Sequence, residues 1–188
     1  MALRAATFAA LCGAARAAPA ADAVPTLPGF GVPLSPLFSG YVTAGTGQQL
    51  HYVYSDAIGA DPSTAPLVVW FNGGPGCSSM EGLLSEAGPY HVQQFSSPPT
   101  LAFNPFTWNN ASNNLWLESP AGVGFSYCER AEGCAHSDTT TAADNLLALL
   151  SFFAAFPERL ANPLYLTGES YAGICECTDR PTRSPRAQ

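Results

Sequence analysis

The 188 residues hold seven Arg, no Lys and fourteen Asp plus Glu, for a net charge of −7 with 47% hydrophobic residues. That supports one globular domain with a substantial core and excludes the basic surface by which proteins grip nucleic acid. No stretch after the leader reaches the ~18 apolar residues of a membrane-spanning helix, so no membrane span is expected.

Residues 1–20 (MALRAATFAALCGAARAAPA) carry early Arg, an Ala-rich apolar run and no acid, with small-x-small cleavage options around Ala18 to Ala21. This is the pattern of a secretory signal peptide, and it places the protein in the secretory pathway, in a lysosome or vacuole or outside the cell. Without Cys12, five cysteines remain: Cys77, Cys128, Cys134, Cys175 and Cys177. Cys128 and Cys134 flank a short polar loop and are candidates for a local disulfide in an oxidising compartment. No CxxC pair supports a metal site, and no cofactor is expected. Asn110-Ala111-Ser112 is a glycosylation sequon.

A Pro- and Gly-rich lead-in precedes Tyr41-Val42 and Leu50 to Tyr54, whose spacing across TAGTGQ predicts an antiparallel hairpin with His51 on its solvent side. Leu67 to Phe71 (LVVWF) reads as a strand covered on both faces, ending at NGGPG. Ser78 and Glu81 have capping-box spacing, which predicts a short helix from about Ser78 to Glu86. His91 to Asn114 reads as irregular. Leu115 to Leu117 is a second buried strand, followed by the small-residue loop ESPAGVGFSY.

Ser137 or Asp138 caps the strongest predicted helix, with apolar residues at 142, 143, 146, 147, 149, 150 and 153; Pro157 closes it. Leu164 to Thr167 is a third strand and runs into GESYAG. Strand, helix and strand in this order predict a parallel sheet wrapped by helices.

A serine is activated by being held on a sharp strand-to-helix turn and handed to a base, and small neighbours permit that turn at Ser170. The pattern is G-x-S-x-A, with the second glycine displaced to Gly173. Gly73, Gly74 and Gly76 leave backbone N–H groups open to approach, so their loop can bind the oxyanion formed when a serine attacks a carbonyl. A phosphate-binding loop is disfavoured, because NGGPGCSS lacks the P-loop Lys and Pro75 removes a donor.

WFNGGPGCSS (70–79), ESPAGVGFSY (118–127) and LTGESYAG (166–173), in this order, resemble the serine carboxypeptidases, a family of α/β-hydrolase fold. The resemblance covers roughly Phe38 to Gly173. It implies that Ser170 is the nucleophile, that Gly74 and Tyr171 give N–H groups to the oxyanion, and that Asn72, Glu86 and Glu169, with Trp70 beside them, bind the substrate's C-terminal carboxylate. It also implies that Cys77 pairs with a cysteine well downstream. Three carboxyl groups gathered in one cleft cannot all ionise, so one must hold a proton, and binding is expected to favour acid pH.

The resemblance implies a serine-type carboxypeptidase that hydrolyses C-terminal residues from peptides or proteins with a free C-terminus. The triad Asp and His of α/β-hydrolases follow the elbow, and ICECTDRPTRSPRAQ after Gly173 holds no His. The expected fold is therefore an incomplete α/β-hydrolase: a signal peptide at 1–20, the N-terminal portion of the domain at 21–173, and an atypical disordered tail at 174–188. The expected product is truncated, inactive alone, and left with an uncovered apolar sheet edge. An acyltransferase relative and a non-catalytic fragment are the alternatives. His51, His91 and His136 are read as surface histidines.

Overall fold

A computed structural model describes residues 18–93, 95–130 and 134–177, with the backbone alone at 175–177. Residues 1–17 of the expected leader and the expected tail from 178 onward lie outside the described residues. Strands β1 (Leu37–Thr43) and β2 (Gln48–Ser55) form the expected hairpin, with Tyr41 opposite His51. β3 (Leu67–Phe71) ends at the glycine loop. β4 (Tyr90–Gln93) and β5 (Thr100–Phe103) pair antiparallel as a separate ribbon. β6 (Asn113–Leu117) and the two-residue β7 (Tyr127–Cys128) follow, and β8 (Leu164–Gly168) leads into the elbow.

The main sheet has the order β1-β2-β6-β3-β8, with β7 paired to the start of β2. β6 runs antiparallel to β2, whereas β3 is parallel to both β6 and β8. The result is a mixed α/β architecture with a parallel centre and an antiparallel flank.

Side-chain alternation in the strands sorts the core into two layers. Leu50, Tyr52, Tyr54, Leu67, Val69, Leu115 and Leu117 meet Ala148, Leu149, Phe152 and Phe156 on one face. Val53, Trp70 and Trp116 pack with Leu37 and Leu83 on the other. Each fully buried aromatic contributes ~1.5–3 kcal/mol relative to an exposed one. Both faces of β3 and β6 are thus covered, as their unbroken apolar runs predict.

Helix α1 (Asp138–Ala155) starts at the predicted cap: Ser137 Oγ accepts from Thr140 N–H, and the Thr140 side chain bonds back to the Ser137 backbone. Its buried stripe differs from the expected one. Ala142, Asn145, Ala148, Leu149 and Phe152 face the sheet, while Leu146, Leu147 and Leu150 are exposed. The helix is apolar nearly all round, so periodicity alone could not choose the stripe; Asn145 is buried because its Oδ1 accepts from Ser119 Oγ at 2.5 Å.

Two further expectations are corrected. The stretch after His91 is not irregular throughout, since it contains the β4–β5 ribbon and a 3-10 turn at Trp108–Asn110. The capping box at Ser78 does not form: Ser78 Oγ accepts from Met80 N–H at 3.1 Å but donates to the Glu118 carboxylate, and the segment continues as a π-helical turn, Gly82–Glu86. A distant carboxylate outcompetes the local cap for this hydroxyl.

Beyond α1, Arg159 is buried and its guanidinium donates to Tyr54 Oη at 2.6 Å, Asp56 Oδ1 at 2.9 Å and the Pro62 carbonyl at 3.1 Å. The described part of the chain contains no helix long and apolar enough to cross a membrane.

Candidate active site

Parallel pairing of β3 with β8, in which Phe71 lies opposite Gly168, brings the glycine loop and the elbow side by side. Ser170 has φ 54°, the left-handed region, and is the one non-glycine residue there among those described. A side chain held in that region signals a strained turn, here one that leaves the serine exposed between β8 and α2 (Ala172–Cys177). Glu169 N–H donates to the Phe71 carbonyl at 3.3 Å, and Tyr171 Oη donates to Asp138 Oδ1 at 2.6 Å. The elbow is thereby tied to the end of β3 and to the first turn of α1.

Gly73 meets the elbow at close range. A Cβ there would lie 2.8 Å from the Glu169 carbonyl oxygen, 2.9 Å from Ser170 Cβ and 3.0 Å from Tyr171 N, so no side chain fits. Gly74 follows at φ 113°, and Cys77 N–H closes the loop onto the Gly73 carbonyl at 3.0 Å. Cys77 is exposed and has no disulfide partner among the described residues.

Asn72 organises the neighbouring polar cluster. Its Oδ1 accepts from Trp70 Nε1 at 2.8 Å and from Gly82 N–H at 3.1 Å, while its Nδ2 donates to Glu169 Oε1 at 3.2 Å. Its own N–H donates to Ser79 Oγ at 3.1 Å. Glu86, at the end of the π-helical turn, has its pKa raised from the ordinary carboxylate value by partial burial first, then by the charges of Glu169 and Glu81; a hydrogen bond from Asn72 opposes the rise. The structure therefore gathers Trp70, Asn72, Glu86 and Glu169 into one cluster beside Ser170.

The histidines lie elsewhere. His51 is not solvent-facing: its side of β2 is covered by the 118–127 loop, and its Nδ1 donates to the buried Glu118 Oε2 at 2.9 Å. His136 is half-buried and donates to the Ala121 carbonyl, and His91 donates to that of Glu86. Among the described residues no histidine hydrogen-bonds Ser170. The arrangement sets an exposed serine on a strained turn against a glycine loop, beside a cluster of Asn72, Glu86 and Glu169, and no histidine meets its hydroxyl among the described residues.

Cys128 and Cys134 form a disulfide at the edge of the 118–127 loop. Asn110 is exposed on its 3-10 turn and its Nδ2 donates to the Pro105 carbonyl. Sequence reasoning missed Glu118, which directly follows the buried apolar run Leu115 to Leu117. A carboxylate placed there must find partners, and that was the available signal.

The family model described as "Serine carboxypeptidase" matches residues 28–176. The chain is 46% identical over 159 residues to the lysosomal protective protein of Mus musculus, covering 84% of this chain and 33% of that protein. It is 45% identical over 161 residues to serine carboxypeptidase ctsa-4.1 of Caenorhabditis elegans, again covering 84% and 33%. Among solved structures, Kex1(delta)p, a prohormone-processing carboxypeptidase from Saccharomyces cerevisiae, is similar with TM-score 0.66 and 28% identity over 80% of this chain and 34% of that one. The chain spans about a third of the length of the curated relatives it matches.

Proposed function

The chain belongs to the serine carboxypeptidase family, and from that premise we propose that it carries the nucleophile and the carboxylate-recognising half of an enzyme that removes C-terminal residues from peptides in acid. The observation that carries the reading is Ser170 at φ 54° against Gly73, beside a cluster in which Asn72 bridges Trp70 and Glu169 with Glu86 adjoining.

In this reading Ser170 Oγ attacks the last peptide carbonyl, the C–N bond breaks as the leaving amine takes a proton, and water then hydrolyses the acyl-enzyme. The N–H groups of Gly74 and Tyr171 stabilise the oxyanion, because preorganised donors act where charge develops. Asn72 and a protonated Glu86 donate hydrogen bonds to the substrate carboxylate, with Glu169 and Trp70 holding the Asn72 amide in place. The raised pKa of Glu86 keeps its proton to higher pH than an ordinary carboxyl would. Recognition is therefore strongest in acid and falls as pH rises through that range. Acyl transfer from an ester donor has less need of this cluster, which favours the peptidase.

Turnover also needs a base and its orienting acid. His51, His91 and His136 are each engaged elsewhere, so the chain by itself binds peptide C-termini without cleaving them. The disulfide and the exposed sequon fit a protein of the secretory pathway, lysosomal, vacuolar or extracellular.

The test is hydrolysis of an N-blocked dipeptide in acid, between about pH 4 and 6, where a raised Glu86 carboxyl favours its protonated form. The purified chain is expected to give no turnover. Turnover abolished by Ser170→Ala would overturn the inactivity, and turnover that survives it would overturn the role of Ser170.

A further inference from the structure

Glu118 is fully buried at the C-terminal end of β6, and its two oxygens divide their partners between three segments. Oε2 accepts from His51 Nδ1 on β2 at 2.9 Å and from Phe125 N–H at 2.8 Å. Oε1 accepts from Ser78 Oγ, in the residues that leave the glycine loop. The next residue, Ser79, accepts from Asn72 N–H and donates to the Leu117 carbonyl at 2.7 Å, immediately before Glu118. Both ends of the loop that carries Gly73 and Gly74 are thus fastened at one point of β6.

The surroundings are shaped around this carboxylate. A Cβ on Gly124 would fall 1.9 Å from Glu118 Oε1, and Gly124 has φ 56°, so glycine is required there twice over. His51 Nε2 shares a hydrogen bond with Ser39 Oγ at 2.9 Å, and its ring lies against Tyr41 and Phe125. A buried carboxylate without such partners would be strongly disfavoured.

We propose that Glu118, oriented by His51, is a positioning residue: through Ser78 it fixes the glycine loop against the elbow, and so sets where an oxyanion would be held. The functional meaning rests on the proposed peptidase reading, whereas the mechanical coupling does not. Glu118 touches neither Ser170 nor the Asn72 cluster, and acts only through the loop.

Hydrogen exchange of the Cys77 amide reports the coupling, since this N–H closes the loop onto the Gly73 carbonyl. In the full chain, Glu118→Gln and Ser78→Ala are each expected to speed exchange at Cys77 by about tenfold, while amides in the middle of α1 keep wild-type protection. The pH profile separates a charged clasp from mere packing. His51 is the titratable group that meets the Glu118 carboxylate among the described residues, and hydrogen bonds from His51, Ser78 and Phe125 N–H hold that carboxyl below its ordinary pKa against the opposing effect of burial.

A depressed carboxyl contributes protection that is full above the ordinary carboxylate range, begins to fall as pH drops through that range and is gone below the lowered value. Wild-type protection at Cys77 should follow that course, and Glu118→Gln should flatten it. If Glu118→Gln unprotects α1 as well, Ser78→Ala alone decides. Unchanged exchange at Cys77 in folded Ser78→Ala, or a pH profile unchanged by Glu118→Gln, overturns the proposal. Ser170→Ala should leave Cys77 exchange as it is; if the coupling holds while Ser170 proves uninvolved in hydrolysis, the peptidase reading falls and the clasp stands.

Discussion

Strands β6 and β8 both serve the site, yet β6 is buried at every position whereas β8 exposes Leu164 at 44% and Tyr165 at 56%. β6 leads into the carboxylate that accepts from Ser78, and β8 leads into the elbow that carries Ser170. α1 likewise presents Leu146, Leu147 and Leu150 to solvent. The loop side of the site is therefore supported by packed core, while β8 pairs with β3 alone among the described strands and its elbow is tied further to the first turn of α1. Position of the loop and position of the serine rest on different amounts of buried surface, and they should respond differently to mutation.

The sharpest contrast is between Trp116→Ala and Tyr165→Ala. Trp116 is fully buried within β6, and its truncation should cost ~3–5 kcal/mol, whereas loss of the exposed Tyr165 ring should stay within about 1 kcal/mol. Urea denaturation of the two variants measures the gap, and equal losses would erase the distinction. Arg159→Ala comes next. It strands Asp56 and Tyr54 beside the core, and breaking a buried pair costs roughly 3–5 kcal/mol, reduced by the slight exposure of both partners. Least affected is the outer face of α1: Leu146→Gln, Leu147→Gln and Leu150→Gln should each change stability by about 0.5 kcal/mol or less, and together lower self-association seen by light scattering.

Local chemistry was legible in the sequence wherever one segment carried it all. GESYAG allowed a left-handed serine, Ser137 capped α1 as its position suggested, and the runs at Leu67 and Leu115 became strands covered on both faces. What depended on distant partners was not legible. His51 and Glu118 are 67 positions apart, so alternation put His51 on the correct face of β2 but could not show that a loop covers that face. The Ser78 hydroxyl, which locally reads as a cap, goes to the same carboxylate. The stripe that α1 buries was set by the sheet and by Ser119, because the helix is apolar on more than one side. The motif resemblance singled out Trp70, Asn72, Glu86 and Glu169; parallel pairing of β3 with β8 brings Asn72 to Glu169, and the turn Gly82–Glu86, tied to Asn72 through Gly82 N–H, brings Glu86.

In the proposed reading this cluster binds a C-terminal carboxylate through a proton held on Glu86. Calorimetric titration of the chain with a peptide bearing a free C-terminus, and with its C-amidated twin, at about pH 5 and pH 7.5 tests it, since burial and the charges of Glu169 and Glu81 raise the Glu86 carboxyl and its proton is lost as pH climbs. The account predicts that the free acid binds at least about tenfold more tightly than the amide at the lower pH, that this advantage shrinks at the higher pH, and that Asn72→Ala removes it. Equal affinity for acid and amide at pH 5, or a preference that grows as pH rises, would contradict it.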